Sequence, residues 1–287
     1  MPLAYEALLS WPFEEIVQTY TARDSILYAL GIGLGADPVD RDQLRFVYEE
    51  GLEALPTMGV VLGNPGFYLS DPASGVNWKR VVHGEQGLVM HRPLAPEGTV
   101  RSVTRIDSIV DKGEGRGALI YGSRETRDAF TGELICTSTS TVFCRADGGF
   151  GGPNGPVPAV HPVPDREPDH VVSMPTLPQM ALIYRLSGDR NPLHADPSVA
   201  QGAGFERPIL HGLCTYGIAG YCVLGALAAW DPRQLGRLDA RFSAPVMPGE
   251  TVTTAIWREG RGRAAFRCSI AERDVTVIDN GYCEFEE

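Results

Sequence analysis

The sequence lacks an excess of positive charge, any cysteine pair at metal-binding spacing and any run of low complexity. Its 25 lysines and arginines are outnumbered by 36 aspartates and glutamates, which gives a net charge of -11. Nucleic acids and anionic membrane surfaces select a dominant basic face, so we expect neither as a partner. With 43% hydrophobic residues and no charge runs, the chain has the composition of an ordinary folded protein.

Six cysteines are present, but no two are spaced as Cys-x-x-Cys, so the sequence predicts neither a zinc site nor a disulfide framework. We expect buried thiols in a reducing compartment. The N-terminal residues lack the basic start and clean apolar core of a signal peptide, and the final residues are not a peroxisomal address. These features predict a cytoplasmic protein.

One long stretch, Gly212 to Trp230, contains no charged residue before its end and is nearly long enough to cross a bilayer. It contains four glycines and has no flanking basic anchors. We therefore expect a wholly buried helix and no membrane partner.

The chain repeats a pattern of turns and strands. The stretch RPLAPEGTV (92–100) is similar to APVMPGETV (244–252), and each is followed by an EGRG turn, at 114–117 and 259–262. Between the copies lies a segment rich in Gly and Pro, which favours a linker over a regular element. We therefore predict an N-terminal unit over residues 1–147, a linker over 148–165 and a C-terminal unit over 166–287.

Both units show the same order of elements, with a helical or irregular opening, an apolar helix and then several strands. In the first unit the stretches TARDSILYALGIG and LPTMGVVLG precede a strand-rich run from Val81 to Arg145. In the second unit the helix that begins at Gly212 precedes strands predicted at 238–242, 251–258, 264–272 and 275–285. A long helix followed by antiparallel strands is best buried when the sheet curls around it, so we predict an α+β fold whose two sheets lie side by side.

Three residues that can carry chemistry, Asp189, Asn191 and His194, lie close together in the stretch YRLSGDRNPLHADP (184–197). Most of this stretch is typical of a structural turn, but a turn needs no histidine, and histidine is well suited to proton transfer near neutral pH. Because Pro192 interrupts the backbone, Asp189 and His194 can converge from either side of a short bend. The stretch therefore indicates an acid–base site, with a structural turn as the alternative.

A second stretch, RPILHGLCTYG (207–217), leads into the apolar helix. Gly212 begins that helix, so nearby backbone N–H groups are unpaired and lie at the positive end of the helix dipole, where they are suited to stabilise an oxyanion. Alternatively, Gly212 is a close packing point and His211 a buried polar contact. His194 and His211 could form a metal pair, but no third ligand stands at a recognisable spacing, and we expect no metal.

Together these stretches resemble the MaoC-like, type 2 enoyl-CoA hydratase family. The likeness continues in the first half through the motifs RDSILYALGIG, FVYEEG, LPTMGVV, VVHGEQ and IVDKGEG, so it covers almost the whole chain. The resemblance implies a double hotdog fold, in which each antiparallel sheet wraps around a long apolar helix. It also implies (R)-specific hydration of trans-2-enoyl-CoA to (3R)-3-hydroxyacyl-CoA, reversible as a dehydration, with no cofactor apart from the CoA of the substrate.

The resemblance also implies the roles of individual residues. The family's catalytic aspartate and histidine fall on Asp189 and His194, Asn191 belongs to the supporting polar groups, and the Gly212 amide holds the thioester oxygen. The family's substrate-binding positions fall on His83, Gly84, Lys112 and Phe242.

Two residues of the first unit are assigned no chemical role. Glu49 matches a glutamate of the family motif FVYEEG, and we assign it no function. The first unit holds YTARDSILYALG where the second holds the catalytic stretch, so Asp24 has no histidine partner. We therefore expect one active site per chain, with the acyl tail lodged in the degenerate first unit.

An acidic chain that binds CoA needs a local basic patch for the phosphate groups. Besides Lys112, the residues Lys79, Arg80, Arg261 and Arg263 are candidates, although each is typical of solvated surface charge. Further two-fold pairing is common among soluble enzymes, and we expect a homodimer. Two other functions remain open, an acyl-CoA thioesterase and a non-catalytic acyl-CoA-binding protein of the same fold.

Overall fold

The computed structural model describes residues 3–286, which form a ten-stranded antiparallel sheet and six α-helices. The strands are β1 (Ile16–Tyr20), β2 (Val81–Met90), β3 (Gly98–Asp111), β4 (Ala118–Asp128), β5 (Leu134–Cys144), β6 (His170–Pro175), β7 (Leu235–Phe242), β8 (Thr251–Arg258), β9 (Arg263–Ile270) and β10 (Val275–Phe285). The helices are α1 (Tyr5–Leu9), α2 (Ala22–Gly31), α3 (Arg41–Leu44), α4 (Met180–Tyr184), α5 (Pro197–Gly202) and α6 (Gly212–Ala228). The chain is therefore an α+β protein, as predicted.

The order of strands in the sheet is the same in both halves of the chain. The first half contributes β1-β3-β4-β5-β2 and the second β6-β8-β9-β10-β7, and the two half-sheets join where β2 pairs antiparallel with β7. The repeated motifs at 92–100 and 244–252 lead into β3 and β8, which are equivalent strands. The prediction of two similar units with adjoining sheets is thereby confirmed.

Most of the predicted strands lie where the sequence places them. The predictions at 251–258 and 275–285 match β8 and β10, whereas β7 begins three residues earlier than predicted and β9 ends two residues earlier. The short strands β1 and β6 were not predicted. Both lie at the edges of the sheet, where exposed side chains alternate with partly buried ones and leave little apolar signal.

The central helix of the second unit, α6, is buried over most of its length, as predicted. It contacts β6, β7, β8 and β10, and its apolar side chains form the main core with residues from both units. The helix ends because Ala229 and Trp230 adopt left-handed backbone conformations, with φ of 47° and 65°. Within residues 3–286, no helix has the length and apolar character needed to span a bilayer.

Within residues 3–147, the first unit has no counterpart of this long helix. The stretch LPTMGVVLG instead forms a short 3₁₀ helix, Pro56–Val60, that packs on β2, β5 and α6. Pro56 at its start and Gly59 and Gly63 within and after it disfavour a continuing α-helix. The prediction that each sheet encloses a long apolar helix therefore holds for the second unit only.

Candidate active site

The candidate site lies at the junction of the two units, where the loop after α4 meets the start of α6. This loop contains Asp189 and the 3₁₀ turn Pro192–His194. The Asp189 Oδ1 accepts a hydrogen bond from the Asn191 N–H at 3.0 Å, and the Asn191 Oδ1 accepts one from the Leu193 N–H, also at 3.0 Å. Asn191 therefore caps the turn that carries His194, and its side chain fixes the loop conformation.

The His194 ring is held in one tautomer by the backbone. Its Nδ1 lies 2.9 Å from the carbonyl oxygen of Ile209, and because a carbonyl only accepts, Nδ1 must donate. In the neutral ring the proton is then on Nδ1, which leaves Nε2 with a free lone pair. Burial lowers the pKa of His194 below its ordinary value of 6.5, so the ring is neutral near pH 7 and can act as a base.

His211, the residue before α6, completes a stacked pair of imidazoles. Its ring centroid lies 3.7 Å from that of His194, and its Nε2 donates to the backbone oxygen of Asp189 at 3.1 Å. Burial and the neighbouring His194 lower the pKa of His211 to about 4. His211 therefore remains neutral and anchors the loop that presents Asp189, a role that residue spacing alone did not indicate.

One carboxylate oxygen of Asp189 and one nitrogen of each histidine lie within 4.8 Å of one another. Asp189 is exposed, whereas His194 and His211 are 8% and 1% exposed, so a water-accessible carboxylate faces a buried neutral base. Asp189 is also the third potential metal ligand that spacing did not reveal. However, the two imidazoles are stacked and each uses one nitrogen on a backbone carbonyl, a geometry that suits acid–base chemistry better than a tetrahedral metal.

Gly212 is the first residue of α6, and the side chain of His211, which precedes it, does not cap this helix end. Among the described residues, no acceptor forms a hydrogen bond with the Gly212 N–H. A Cβ at this position would lie 3.3 Å from the Phe242 ring, so glycine allows the backbone to approach that ring closely. The helix start therefore offers an unpaired N–H beside an aromatic wall.

The first unit contributes His83 to the same place. Its ring lies 4.8 Å from the Phe242 ring, and its Nε2 is buried without a hydrogen-bond partner in the described chain. Burial lowers the pKa of His83 to about 4, although the nearby Asp189 charge opposes the shift. Next to it, Gly84 lies at a bulge between β2 and β5, where a Cβ would approach the Thr141 carbonyl oxygen to 3.1 Å.

The structure therefore brings most of the predicted site residues together. Asp189, His194, Gly212, Phe242 and His83 surround one region, and Gly84 shapes the strand next to it.

Two other residues that the sequence singled out lie outside this group. Lys112 lies apart, with its ammonium 4.9 Å from the centre of the Phe143 ring. Glu49 is exposed in the turn after α3, and its side chain makes no hydrogen bond within residues 3–286 that would indicate a role. The assigned roles of all these residues remain predictions.

A cavity of about 450 Å³ lies elsewhere, between α1, β3 and the linker. Its lining is mainly apolar and offers no acid–base pair comparable to Asp189 and His194. We therefore place the chemistry at the junction of the units, where the titratable groups converge.

Comparison with known proteins bears directly on this site. Residues 18–146 match the MFE-2 hydratase 2 N-terminal domain, and residues 159–280 match the MaoC like domain. The chain is 41% identical to 3-hydroxyacyl-thioester dehydratase Y of Mycobacterium tuberculosis over 95% of each chain, and 36% identical to peroxisomal enoyl-CoA hydratase 2 of Arabidopsis thaliana over 95% and 93%. A crystal structure of a MaoC-like dehydratase from Phytophthora capsici superposes with a TM-score of 0.86, at 34% identity and 98% coverage of each chain.

The chain belongs to the MaoC-like hydratase 2 family. This membership confirms the suspected resemblance, and together with the strand order it confirms the double hotdog fold. Both hotdog units lie in this one chain and are joined through β2 and β7, so the junction that holds His83 and Asp189 forms within a single molecule.

Sequence reasoning missed some groups that shape this hydratase 2 site. The Tyr184 ring lies 5.1 Å from His211 and 5.9 Å from the Tyr28 ring, and all three side chains are buried. Arg185 donates to the backbone oxygen of Arg190 at 3.1 Å and so braces the loop that carries Asp189. Tyr28 and Tyr184 each stand two residues before a leucine, Leu30 or Leu186, and this repeat was the sequence signal for the contact between the two tyrosines.

Proposed function

We propose that this protein catalyses the (R)-specific hydration of trans-2-enoyl-CoA to (3R)-3-hydroxyacyl-CoA, and the reverse dehydration. The observation that carries this proposal is the pairing of a neutral His194, whose Nε2 lone pair is free, with the accessible carboxylate of Asp189. Hydration needs such a pair because one proton must leave water and one must reach carbon. Relatives named as a dehydratase and a hydratase, each matched over 95% of this chain, support the same reaction in its two directions.

In this mechanism, Asp189 and the His194 Nε2 hold one water molecule between them. The water oxygen forms a bond to C3 of the enoyl group while one of its protons passes to this pair, and a proton is returned to C2 from the same side. The product has gained one water molecule, with no change in oxidation state. Acid–base assistance of this kind contributes on the order of 100-fold to 10,000-fold to the rate.

During addition, the thioester oxygen gains negative charge. The Gly212 N–H at the start of α6 donates to that oxygen, and the aligned peptide dipoles of α6 favour the charge. Loss of one oxyanion donor typically costs about 3 kcal/mol in the transition state. The His83 Nε2, which is buried and has no hydrogen-bond partner within residues 3–286, faces the same region and is placed to contact the substrate.

The experiment that tests this function is hydration of crotonyl-CoA, followed by loss of the enoyl absorbance and chiral analysis of the product. We expect (3R)-3-hydroxybutyryl-CoA and no release of free thiol. Thiol release measured with a trapping reagent would instead indicate a thioesterase. Tight acyl-CoA binding without turnover would indicate a non-catalytic binding protein.

Several expectations from the sequence remain predictions. They are that the reaction needs neither a metal nor an added cofactor, that the protein acts in the cytoplasm as a homodimer, and that it binds neither nucleic acid nor membranes. The length and branching of the acyl group are best determined by measuring hydration across enoyl-CoAs of graded size.

A further inference from the structure

The inner face of the first half-sheet carries two apolar clusters that are separated by small and polar side chains. On β4, Ile120 belongs to the cluster that packs on α1, whereas Thr126 lies beside Cys136 of the main core. Side chains of alternate strand residues share a face, so Gly122 and Arg124 lie between the two clusters. Within residues 3–147, no long helix covers this gap.

The neighbouring strand β5 shows the same interruption. Val142 packs on the α1 cluster, and Ser140 and Ser138 follow toward the main core at alternate positions. Ser140 pairs with Gly122, and a Cβ on Gly122 would lie 3.9 Å from the Ser140 hydroxyl. Ser138 pairs with Arg124. These four residues, Gly122, Arg124, Ser138 and Ser140, form a polar lane across the inner face.

The polar lane begins beside the candidate active site. His83 pairs with Val142 of β5, and Ser138, which pairs with Arg124, lies four residues before Val142. From His83 to Arg124 the path therefore crosses two strand spacings and runs four residues along the sheet, a distance of about 16 Å. A long acyl chain can span this distance, whereas a short one cannot.

Arg124, at the far end of the polar lane, is a buried charge without a counterion. It is 9% exposed, and its side chain makes one hydrogen bond within residues 3–286, from Nη2 to the Val60 carbonyl at 2.5 Å. Its Nε is buried and has no partner in the same range. A guanidinium has five N–H donors, and burial of its charge is unfavourable unless an anionic acceptor meets it. The fold alone thus leaves most of these donors unused.

The second unit fills the same place with an aromatic ring. Arg124 pairs with Thr104 and Phe266 pairs with Ile256, and both partners stand four residues after the end of the repeated motif. The Phe266 ring covers Gly281 so closely that a Cβ there would lie 2.6 Å from the ring. The hotdog framework is therefore complete with an apolar side chain at this position, and the charge of Arg124 needs another explanation.

We propose that Arg124 binds a carboxylate at the far end of the acyl chain, so that the substrates include long-chain enoyl-CoA thioesters whose tail ends in a carboxylate. This proposal rests on the proposed function, because it names the substrate class of the same site. A carboxylate matches the planar donor fork of a guanidinium and neutralises its charge. A small free anion has the same chemistry, and the experiments below separate these two sources.

The first experiment compares trans-2-hexadecenoyl-CoA with the analogue in which a carboxylate replaces the terminal methyl group. In Arg124→Met, the ratio of kcat/KM for the carboxylate thioester to kcat/KM for the methyl thioester should fall about tenfold to 100-fold, because a charged hydrogen bond is lost. Arg124→Lys keeps the charge and should lower the ratio less. Arg127→Met is the matched control, because Arg127 lies on the same strand and pairs with Glu125 at 2.8 Å, and it should leave the ratio unchanged.

The second experiment uses the wild-type protein alone and so does not depend on the folding of a variant. It repeats the comparison with trans-2-hexenoyl-CoA and its analogue that ends in a carboxylate. This shorter tail cannot reach Arg124, so the ratio should be at least about tenfold lower than for the long pair. Equal ratios at both lengths would overturn the proposal.

The third experiment tests the free-anion source by thermal unfolding in sodium acetate and sodium chloride at equal ionic strength. Stabilisation of the wild type but not of Arg124→Met, with an unchanged substrate ratio in that variant, would assign Arg124 to a small anion and overturn the proposal. An unchanged ratio without stabilisation would overturn it as well. If the wild type hydrates neither crotonyl-CoA nor the longer thioesters, the proposed function itself is wrong.

Discussion

The two hotdog units share a framework but differ in the features that carry chemistry. The hydrogen bond between Ser102 and Thr126 in the first unit recurs between Thr254 and Cys268 in the second, at equivalent points of paired strands. Sheet order, turns and this buried pair have therefore been kept. The comparison indicates that the hotdog framework does not by itself make an active site.

The difference arises in the loop after the first helical segment of each unit. Gln18 and Met174 occupy equivalent positions, because they pair with the equivalent residues Val100 and Val252. The same difference in residue number aligns Tyr28 with Tyr184. It also aligns Gly33 with Asp189. The tripeptide Ala-Asp-Pro occurs in both units, and its alanine follows Tyr28 by 8 residues in the first unit, at Ala36, but follows Tyr184 by 11 in the second, at Ala195. The first unit thus lacks three residues, and no counterpart of Asn191 or His194 remains.

This register also corrects the sequence comparison that set Asp24 against the catalytic stretch. Asp24 lies in the first turn of α2, where its carboxylate accepts the Thr21 N–H at 2.8 Å and the Thr21 hydroxyl at 2.7 Å. It forms a capping box, and within residues 3–286 its partners are Thr21 and Arg23 and include no histidine, as expected. Its role is to begin a helix.

The interiors of the two units differ as well. Arg124 and Phe266 occupy equivalent positions in the two units. Arg124 pairs with Thr104 and Phe266 pairs with Ile256. Thr104 and Ile256 in turn lie the same number of positions after the equivalent residues Val100 and Val252. Arg124 is 9% exposed and donates to the Val60 carbonyl at 2.5 Å, but no carboxylate pairs with it among the described residues. The first unit therefore holds a buried cation where the second holds a phenyl ring.

The largest expected effect on activity comes from His194→Asn. The asparagine amide can still donate to the Ile209 carbonyl but has nothing in place of Nε2, so we expect kcat/KM for crotonyl-CoA to fall on the order of 100-fold to 10,000-fold. His91→Asn, in the first unit, is the matched control, because the His91 side chain is exposed and, within residues 3–286, its ring bonds only to the Thr137 hydroxyl. Retained activity in His194→Asn would contradict its role as base.

The contrast between the buried residues of the two interiors can be tested by exchange. Phe266→Arg should lower the free energy of unfolding by more than about 4 kcal/mol, because it buries an unpaired charge in the core. Arg124→Met relieves the cost of a buried charge but also loses the hydrogen bond to the Val60 carbonyl. These two effects nearly offset, so the free energy of unfolding should change by less than about 2 kcal/mol. Urea unfolding measures both, and equal losses would show that the two interiors are alike.

Stability should decrease in mildly acidic solution because of one histidine from each unit. The pKa values of His83 and His211 are about 4 in the folded protein, against 6.5 for an ordinary histidine. The stability they provide is complete above pH 6.5 and is lost as the pH falls toward 4, by at most about 1.4 kcal/mol per pH unit for each histidine. Urea unfolding across this range checks the slope, which should be shallower in His211→Gln; an unchanged slope would exclude His211 as a source.

The smallest expected effect is that of metal removal. Asp189, His194 and His211 could attract a cation, but the proposed chemistry needs none. Prolonged treatment with a chelator should therefore leave kcat/KM unchanged and should not alter the difference between the units. A loss of activity that Zn²⁺ restores would instead assign these three residues to a metal.

The sequence sufficed for features that depend on local pattern. The repeat, the main strands, the buried helix and the convergence of Asp189 with His194 follow from turn residues and periodicity. Features set by distant contacts could not be predicted. The tautomer of His194 depends on the Ile209 carbonyl, and the short 3₁₀ helix at Pro56–Val60 replaces a helix that its apolar composition suggested.

The most direct test of the account compares Asp189→Asn with Asp24→Asn in the hydration of crotonyl-CoA. Asp189→Asn should lower kcat at least about 100-fold while the protein remains folded, because the loop is still capped by Asn191. Asp24→Asn should leave kcat unchanged and lower stability by only about 1 kcal/mol, through its helix cap. Near wild-type turnover in Asp189→Asn, or a comparable loss of turnover in Asp24→Asn, would contradict the claim that the second unit alone carries the chemistry.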